Sequence, residues 1–194
     1  MISEKDPDAE AEELARDRLF AKELRKQIRT YSKTVKHTLA TTRFNETTWN
    51  ENSQMRSKNP AIKCIYGTPC QISAKIEIDT NVFVLEMNND LDRIAGIGLI
   101  KNHPISGKYA VYSRGNYNRY IYAGKMRIDR EDMTAEEREI LKLIEAMCFR
   151  GINHCKRGQG IQIFSMKLQY RCHILGGIQL TDYVCQMFKN RQNI

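Results

Sequence analysis

Apolar positions change their period twice along the chain. From about Ala9 to about Lys36 they recur every three or four residues. Phe20, Leu24, Ile28, Tyr31 and Val35 make one narrow stripe, and Arg16, Arg18, Arg25, Lys26, Arg29 and Lys33 take the other faces. That spacing predicts an amphipathic helix. Acidic residues gather ahead of it and in its first turn, where the helix dipole favours negative charge. Residues 41–61 lose the period. They are rich in Thr, Asn and Ser and end at Pro60, which predicts a connecting loop. The single tryptophan, Trp49, falls in this stretch and is read as an anchor against the body of the protein.

From Ile62 the period becomes that of strands. Lys63–Tyr66 predicts a short strand before the turn Gly67-Thr68-Pro69. Ile72, Ala74, Ile76 and Ile78 alternate with Ser73, Lys75 and Glu77, as a half-buried strand does. Val82–Met87 and Arg93–Ile100 predict a hairpin whose loop, Asn88 to Asp92, tolerates left-handed backbone. Gly96 and Gly98 inside the second strand point to close backbone approach or strong bending. Residues 108–128 predict two further strands around Arg114-Gly115-Asn116. Residues 134–150 predict a helix with Thr134 as N-cap, Glu137 completing a capping box and Gly151 as the stop. Its buried face would be Ile140, Leu141, Ile144 and Cys148. Ile161, Ile163 and Leu168 predict another strand. A last short helix, residues 181–189, would bury Val184, Met187 and Phe188.

These elements predict an α+β fold: a helical arm (1–40), a linker loop (41–61) and one α+β domain (62–194). The domain would be a small mixed β-barrel or curled sheet flanked by helices. At 194 residues the chain can bury one sizeable core. No run approaches the ~18 uncharged apolar residues of a membrane span. The acidic start does not resemble a secretory signal, so an intracellular protein with reduced thiols is expected. Six cysteines are present, and the nearest pair, Cys64 and Cys70, lacks the two-to-four-residue spacing of a zinc site. Cys155 and Cys172 each adjoin a histidine. Ordinary thiols are favoured, and whether Cys64, Cys70, Cys155 or Cys172 binds zinc stays open. No cofactor is expected.

Charge narrows the function. The net charge is +8, unevenly spread. Residues 1–13 carry six acids and one Lys, while residues 14–40 carry eight Lys/Arg and two acids. Residues 101–127 hold six basic residues and no acid. Residues 146–181 hold five basic residues and two histidines, again without an acid. Such stretches attract polyanions. Five of the nine tyrosines (109, 112, 117, 120 and 122) lie in the first stretch, among Lys108, Arg114, Arg119, Lys125 and Arg127. Aromatic faces stack on unpaired bases while cations follow phosphates. Tyr112, Tyr117 and Tyr120 are the expected stacking residues, and Arg114, Arg119 and Lys125 the phosphate contacts; two or three of the five tyrosines should be structural. In the second stretch, Lys156-Arg157-Gly158-Gln159-Gly160 places two cations beside two glycines, a phosphate-clamp pattern that adds Lys156 and Arg157. No nucleophile–base signature accompanies them, so the expected function is non-catalytic binding of DNA or RNA. The alternative is a structural protein whose N-terminal helix holds other proteins.

The segments Lys63-Cys64-Ile65-Tyr66-Gly67-Thr68-Pro69, Val84 to Asn89, Ile97 to Ile100 and Lys156 to Ile161 resemble an uncharacterised protein family of large nucleocytoplasmic DNA viruses. The resemblance spans roughly residues 60–165. It implies a viral protein made in the host cell, with packaging in the virion and virion-protein partners among its fates. The central hairpin, with Ile94-Ala95-Gly96-Ile97-Gly98-Leu99-Ile100, is similar to that of EVE and other PUA-like domains, small barrels that bind RNA or modified bases. That similarity implies a barrel and supplies no pocket residue.

Overall fold

The computed structural model describes residues 7–105, 109–152 and 154–192, with side chains from residue 12 onward. The chain divides into two compact units, Met1–Val35 and Lys36–Ile194. The first is the helical arm, α1 (Pro7–Ser32), as its apolar stripe predicts.

The second unit is α+β. It begins at Lys36 rather than at residue 62, because the stretch read as a linker is a strand followed by a helix: β1 (Thr38–Phe44) and α2 (Glu46–Lys58). Next come β2 (Cys64–Thr68), β3 (Asn81–Asn88), β4 (Arg93–Lys101), β5 (Tyr120–Gly124) and β6 (Met126–Asp129). Then follow α3 (Ala135–Phe149), β7 (Gln162–Ile163), α4 (Met166–Gly176) and α5 (Leu180–Gln192). Five strands form a mixed sheet in the order β6-β4-β3-β1-β7, and β2 pairs with β5 in a second sheet. The described strands thus make two open sheets and no closed barrel. β1 runs parallel to β3, and the predicted β3–β4 hairpin is antiparallel.

The long apolar runs of β3 and β4 follow from burial on both faces. Phe83, Leu85 and Met87 of β3, with Ile97 and Leu99 of β4, pack with Leu141, Ile144 and Cys148 of α3 and Val184, Met187 and Phe188 of α5. On the opposite face Val82, Val84 and Ile100 pack with Cys64, Ile65 and Tyr66 of β2 and Ile121 and Tyr122 of β5. The α3 and α5 readings hold: the Thr134–Glu137 capping box forms, and Gly151 takes left-handed φ 74° just after the helix.

Two predicted strands are corrected and a third is shortened to β7. Residues 72–78 are turns, closed by Ile76 N–H to Ser73 C=O at 2.9 Å and Thr80 N–H to Glu77 C=O at 3.3 Å. Only Ile72 of its alternating residues is buried, and Ile78 is 76% exposed. Residues 109–114 are a loop, because a side chain takes the place of a neighbouring strand. Asn118 Oδ1 accepts from the Val111 and Tyr112 amides, each at 2.9 Å, and its Nδ2 donates to Tyr112 C=O at 2.6 Å. Leu168 lies in α4 rather than in a strand.

The two glycines of β4 meet a buried polar network. Tyr66 Oη donates to Glu86 Oε1 at 2.7 Å, and the Arg127 guanidinium forks onto the same carboxylate at 2.7–3.0 Å. Glu86 is fully buried and the Arg127 side chain 3% exposed. Burial works against the Arg127 charge, but attraction to Glu86 and their hydrogen bonds outweigh it and raise its pKa. Burial and the Glu86 charge together hold Tyr66 neutral. A Cβ at residue 98 would sit 1.9 Å from Tyr66 Oη, and one at residue 96 would sit 2.7 Å from an Arg127 nitrogen. Close approach is therefore the reason for both glycines.

Overpacking typically costs about 1–3 kcal/mol, so Gly98→Ala should lose at least ~2 kcal/mol in urea unfolding. Gly115→Ala, whose Cβ meets nothing within 4 Å, should stay within about 0.5 kcal/mol of the parent. Arg191 forks onto Glu137 at 2.7 and 2.8 Å, and this hydrogen bonding lowers the Glu137 pKa. A depressed carboxylate stabilises the fold above the ordinary glutamate pKa of about 4.3 and loses that contribution as pH falls through its folded value. Arg191→Met should therefore cost roughly 1 kcal/mol at neutral pH, and its melting curve should converge on the parent's as the pH drops.

Candidate nucleic-acid interface

β1 ends at Phe44 and turns at once into α2. Asn45 caps that helix: its Oδ1 accepts from Thr48 N–H at 2.9 Å, and Thr48 Oγ1 accepts from Asn45 N–H at 3.0 Å. The turn places Thr42, Arg43, Thr47 and Thr48 along one wall of a cleft of about 360 Å³. The opposite side comes from two segments remote in sequence. Tyr112, Ser113, Arg114 and Tyr117 come from the loop that Asn118 holds, and Lys156, Gly158, Gln159 and Gly160 from the loop after α3. Asn89, at the β3–β4 turn, completes the lining.

Each segment is fixed by identifiable contacts. Glu51 of α2 accepts the Ser113 amide at 3.0 Å. Asn52, fully buried, donates to Ile65 C=O and, at 3.4 Å, to Tyr112 Oη. The second loop is tied down by Arg43. Its Nε donates to Cys155 C=O, Nη1 to Gly160 C=O at 3.5 Å, and Nη2 to Gln162 Oε1 at 3.1 Å. Burial lowers the Arg43 pKa, opposed by the neighbouring Cys155. Asn89 Nδ2 adds a bond to Lys156 C=O at 3.2 Å. Gly158 and Gly160 have φ of 123° and 63°, values that side-chain-bearing residues rarely adopt.

Of the residues predicted to bind, the cleft brings together Tyr112, Arg114, Tyr117 and Lys156. Arg114 is exposed at its rim, and among the described residues no ion pair engages it. Lys156 Nζ lies 2.6 Å from Asp92. Tyr117 is half-buried and meets Tyr112 edge-on, ring centres 6.3 Å apart. Tyr112 as a stacking face is corrected: it is 8% exposed, its hydroxyl is engaged by Asn52, and burial raises its pKa. Tyr122 is likewise a core residue, its hydroxyl accepting the Ile72 amide at 3.1 Å. Arg127 belongs to the buried network. Arg157 lines an adjoining cavity of about 260 Å³ that shares Arg43 with the cleft. Arg119, Tyr120 and Lys125 line neither; Arg119 lies over the Tyr120 ring at 5.8 Å, and Lys125 is exposed between β5 and β6. Lys108 and Asn153 lie outside the described residues.

Trp49 is an anchor, edge-on to Phe44 with centroids 5.2 Å apart and with the Arg56 and Arg127 guanidiniums over its ring. The six cysteines are free, and among the described residues no group of three metal-ligating side chains gathers. No described helix is long and apolar enough to cross a membrane. Sequence reasoning missed Arg43, Asn45, Glu51 and Asn89, since the first three sit in the stretch read as a linker. The available signal was Thr41-Thr42-Arg43-Phe44, β-favouring residues, directly before an Asn that can cap a helix. No protein-family model, curated protein or solved structure matches this chain.

If Arg43 is the tie that holds the 155–162 loop, Arg43→Lys keeps the charge but loses the fork. Amide hydrogen exchange should then speed up across residues 155–162 and stay unchanged in α3.

Proposed function

We propose that the protein binds single-stranded nucleic acid, without catalysis, through the cleft between β1, the Tyr112–Tyr117 loop and the Lys156–Gly160 loop. The observation that carries this reading is the convergence of the two acid-free segments on one cavity. Arg114 and Lys156 stand at that cavity with Arg43 behind them; Glu51 is the carboxylate of its lining, and Asp92 pairs with Lys156 until a phosphate replaces it. A cleft of this size accepts one base or nucleotide and is too small for a duplex. Tyr117 offers the stacking face. The left-handed backbone at Gly158 and Gly160 shapes this loop, and their missing side chains make room for Gln162 and Thr68. Asn89 Oδ1, buried and without a hydrogen-bond partner among the described residues, is an acceptor suited to the amino group of a base. Arg157 and Lys167, along the adjoining cavity, would continue the cationic track for the next phosphates. The resemblance to viral proteins fits a genome-associated role, with DNA and RNA both compatible.

Titration of a fluorescent oligothymidylate or oligouridylate against salt tests this. Each phosphate contact adds roughly 0.7 to the slope of log affinity against log salt for single strands. Arg114→Gln with Lys156→Gln should weaken binding about tenfold or more at low salt and flatten the slope, while Arg119→Gln with Lys125→Gln should change little. The reverse ranking, or no retention of any oligonucleotide at low salt, would overturn the proposal, and stable association with another protein would then favour the structural alternative.

A further inference from the structure

Beside the cleft lies a pair of thiols that nucleic-acid binding does not use. Cys148, the penultimate residue of α3, is fully buried, and Cys155 is half-buried. The chain reverses between them at Gly151, and Cys155 N–H donates to Cys148 C=O at 2.6 Å. The Cys155 side chain packs against the cluster that buries Cys148. A backbone bond together with this shared packing places the pair within reach of a disulfide. Cys155 opens on the cavity of about 260 Å³ beside the cleft, whose charged lining is Arg43 of β1, Arg157 and Lys167, with His154 and no carboxylate.

We propose that Cys155 and Cys148 form a thiol–disulfide exchange site, in which Cys155 attacks an anionic low-molecular-weight disulfide such as glutathione disulfide and Cys148 resolves the product into an internal Cys148–Cys155 bond. The surroundings divide the roles. The hydrogen bond from Cys148 lowers Cys155 to about 7; burial opposes it, and the Arg43 charge assists. An attacking thiol is most effective when its pKa lies near the ambient pH. Cys148 is pushed up by that same hydrogen bond, by burial and by the neighbouring Cys155 and Cys172, with Arg43 opposing, so it waits as the neutral thiol. The cationic lining suits a disulfide whose peptide arms carry carboxylates.

The electron count closes. The Cys155 thiolate attacks one sulfur of the disulfide, the S–S bond breaks, and the departing glutathione thiolate takes a proton from solvent. Cys155 now holds one glutathione and has lost its charge, which removes one cause of the high Cys148 pKa. Cys148 attacks the Cys155 sulfur and expels the second glutathione, whose departing thiolate takes up the Cys148 proton. Two protein thiols are oxidised to one disulfide, and one glutathione disulfide is reduced to two thiols.

Incubation of the full chain with glutathione disulfide, followed by intact mass and peptide mapping, tests this independently of nucleic-acid binding. The parent should lose two hydrogens and yield a Cys148–Cys155 cross-link. Cys148→Ser should stop with one glutathione on Cys155, and Cys155→Ser should form neither product. Because Cys148 is a core residue, a second measurement uses the parent alone: iodoacetamide alkylation of Cys155 should rise with a midpoint near pH 7 and, at that pH, run several-fold faster than at the exposed Cys70. Glutathione on Cys70 with Cys148 and Cys155 still reduced, or Cys155 alkylated no faster than Cys70, would overturn the proposal.

Discussion

A single carboxylate buried between two sheets organises the second unit of this protein. Glu86 projects from the central strand β3 and receives Tyr66 from the small sheet and Arg127 from the edge strand β6. Such a pair is not a strong source of net stability, because desolvating both charges offsets most of their attraction. Its force is in exclusion. Any arrangement that separates the partners leaves a buried charge unmatched, at roughly 3–5 kcal/mol. The pair thus fixes how β2 lies across β3 and β4, and it requires β4 to present bare backbone at Gly96 and Gly98.

The cleft inherits that placement. β2 carries Gly67, whose missing side chain leaves room for the Tyr117 carbonyl and the Tyr112 ring. It also carries the Ile65 carbonyl that holds Asn52. From these points the Tyr112–Tyr117 loop reaches the end of β1, where Arg43 holds the Lys156–Gly160 loop in return. Neither loop pairs as a strand, the first ending in a single 3-10 turn at Gly115–Asn118, and each is held chiefly by one side chain with several hydrogen bonds, Asn118 for the first and Arg43 for the second. Side-chain forks can define a site where strand pairing does not reach.

This division explains what was legible in the sequence. The β3–β4 hairpin, α3 and α5 announce themselves because apolar periodicity and capping chemistry are local. The contribution of β1 and α2 was hidden. Thr41 and Thr42 are buried in a strand paired on both sides, and α2 buries an asparagine where an apolar residue would be expected. The false strand at 72–78 shows the converse: its alternation is clear, yet the chain turns there, and of its four alternating residues Ala74 and Ile78 are exposed and Ile76 only half-buried. At the cleft, cation and tyrosine density picked out two segments that contribute to its lining, without saying which members point into a common space. Arg127 and Tyr112 read as surface groups, but a carboxylate twenty residues beyond Tyr66 and an asparagine in a supposed linker claim them.

Photo-crosslinking of a bound single strand reads out whether the two distant segments act as one nucleic-acid surface. With a 4-thiouridine- or 4-thiothymidine-bearing oligonucleotide at low salt, crosslinked peptides should come from both loops, with Tyr117 as the principal adduct. Crosslinks confined to the N-terminal helical arm, or to the Arg119–Lys125 side with none at either loop, would contradict it.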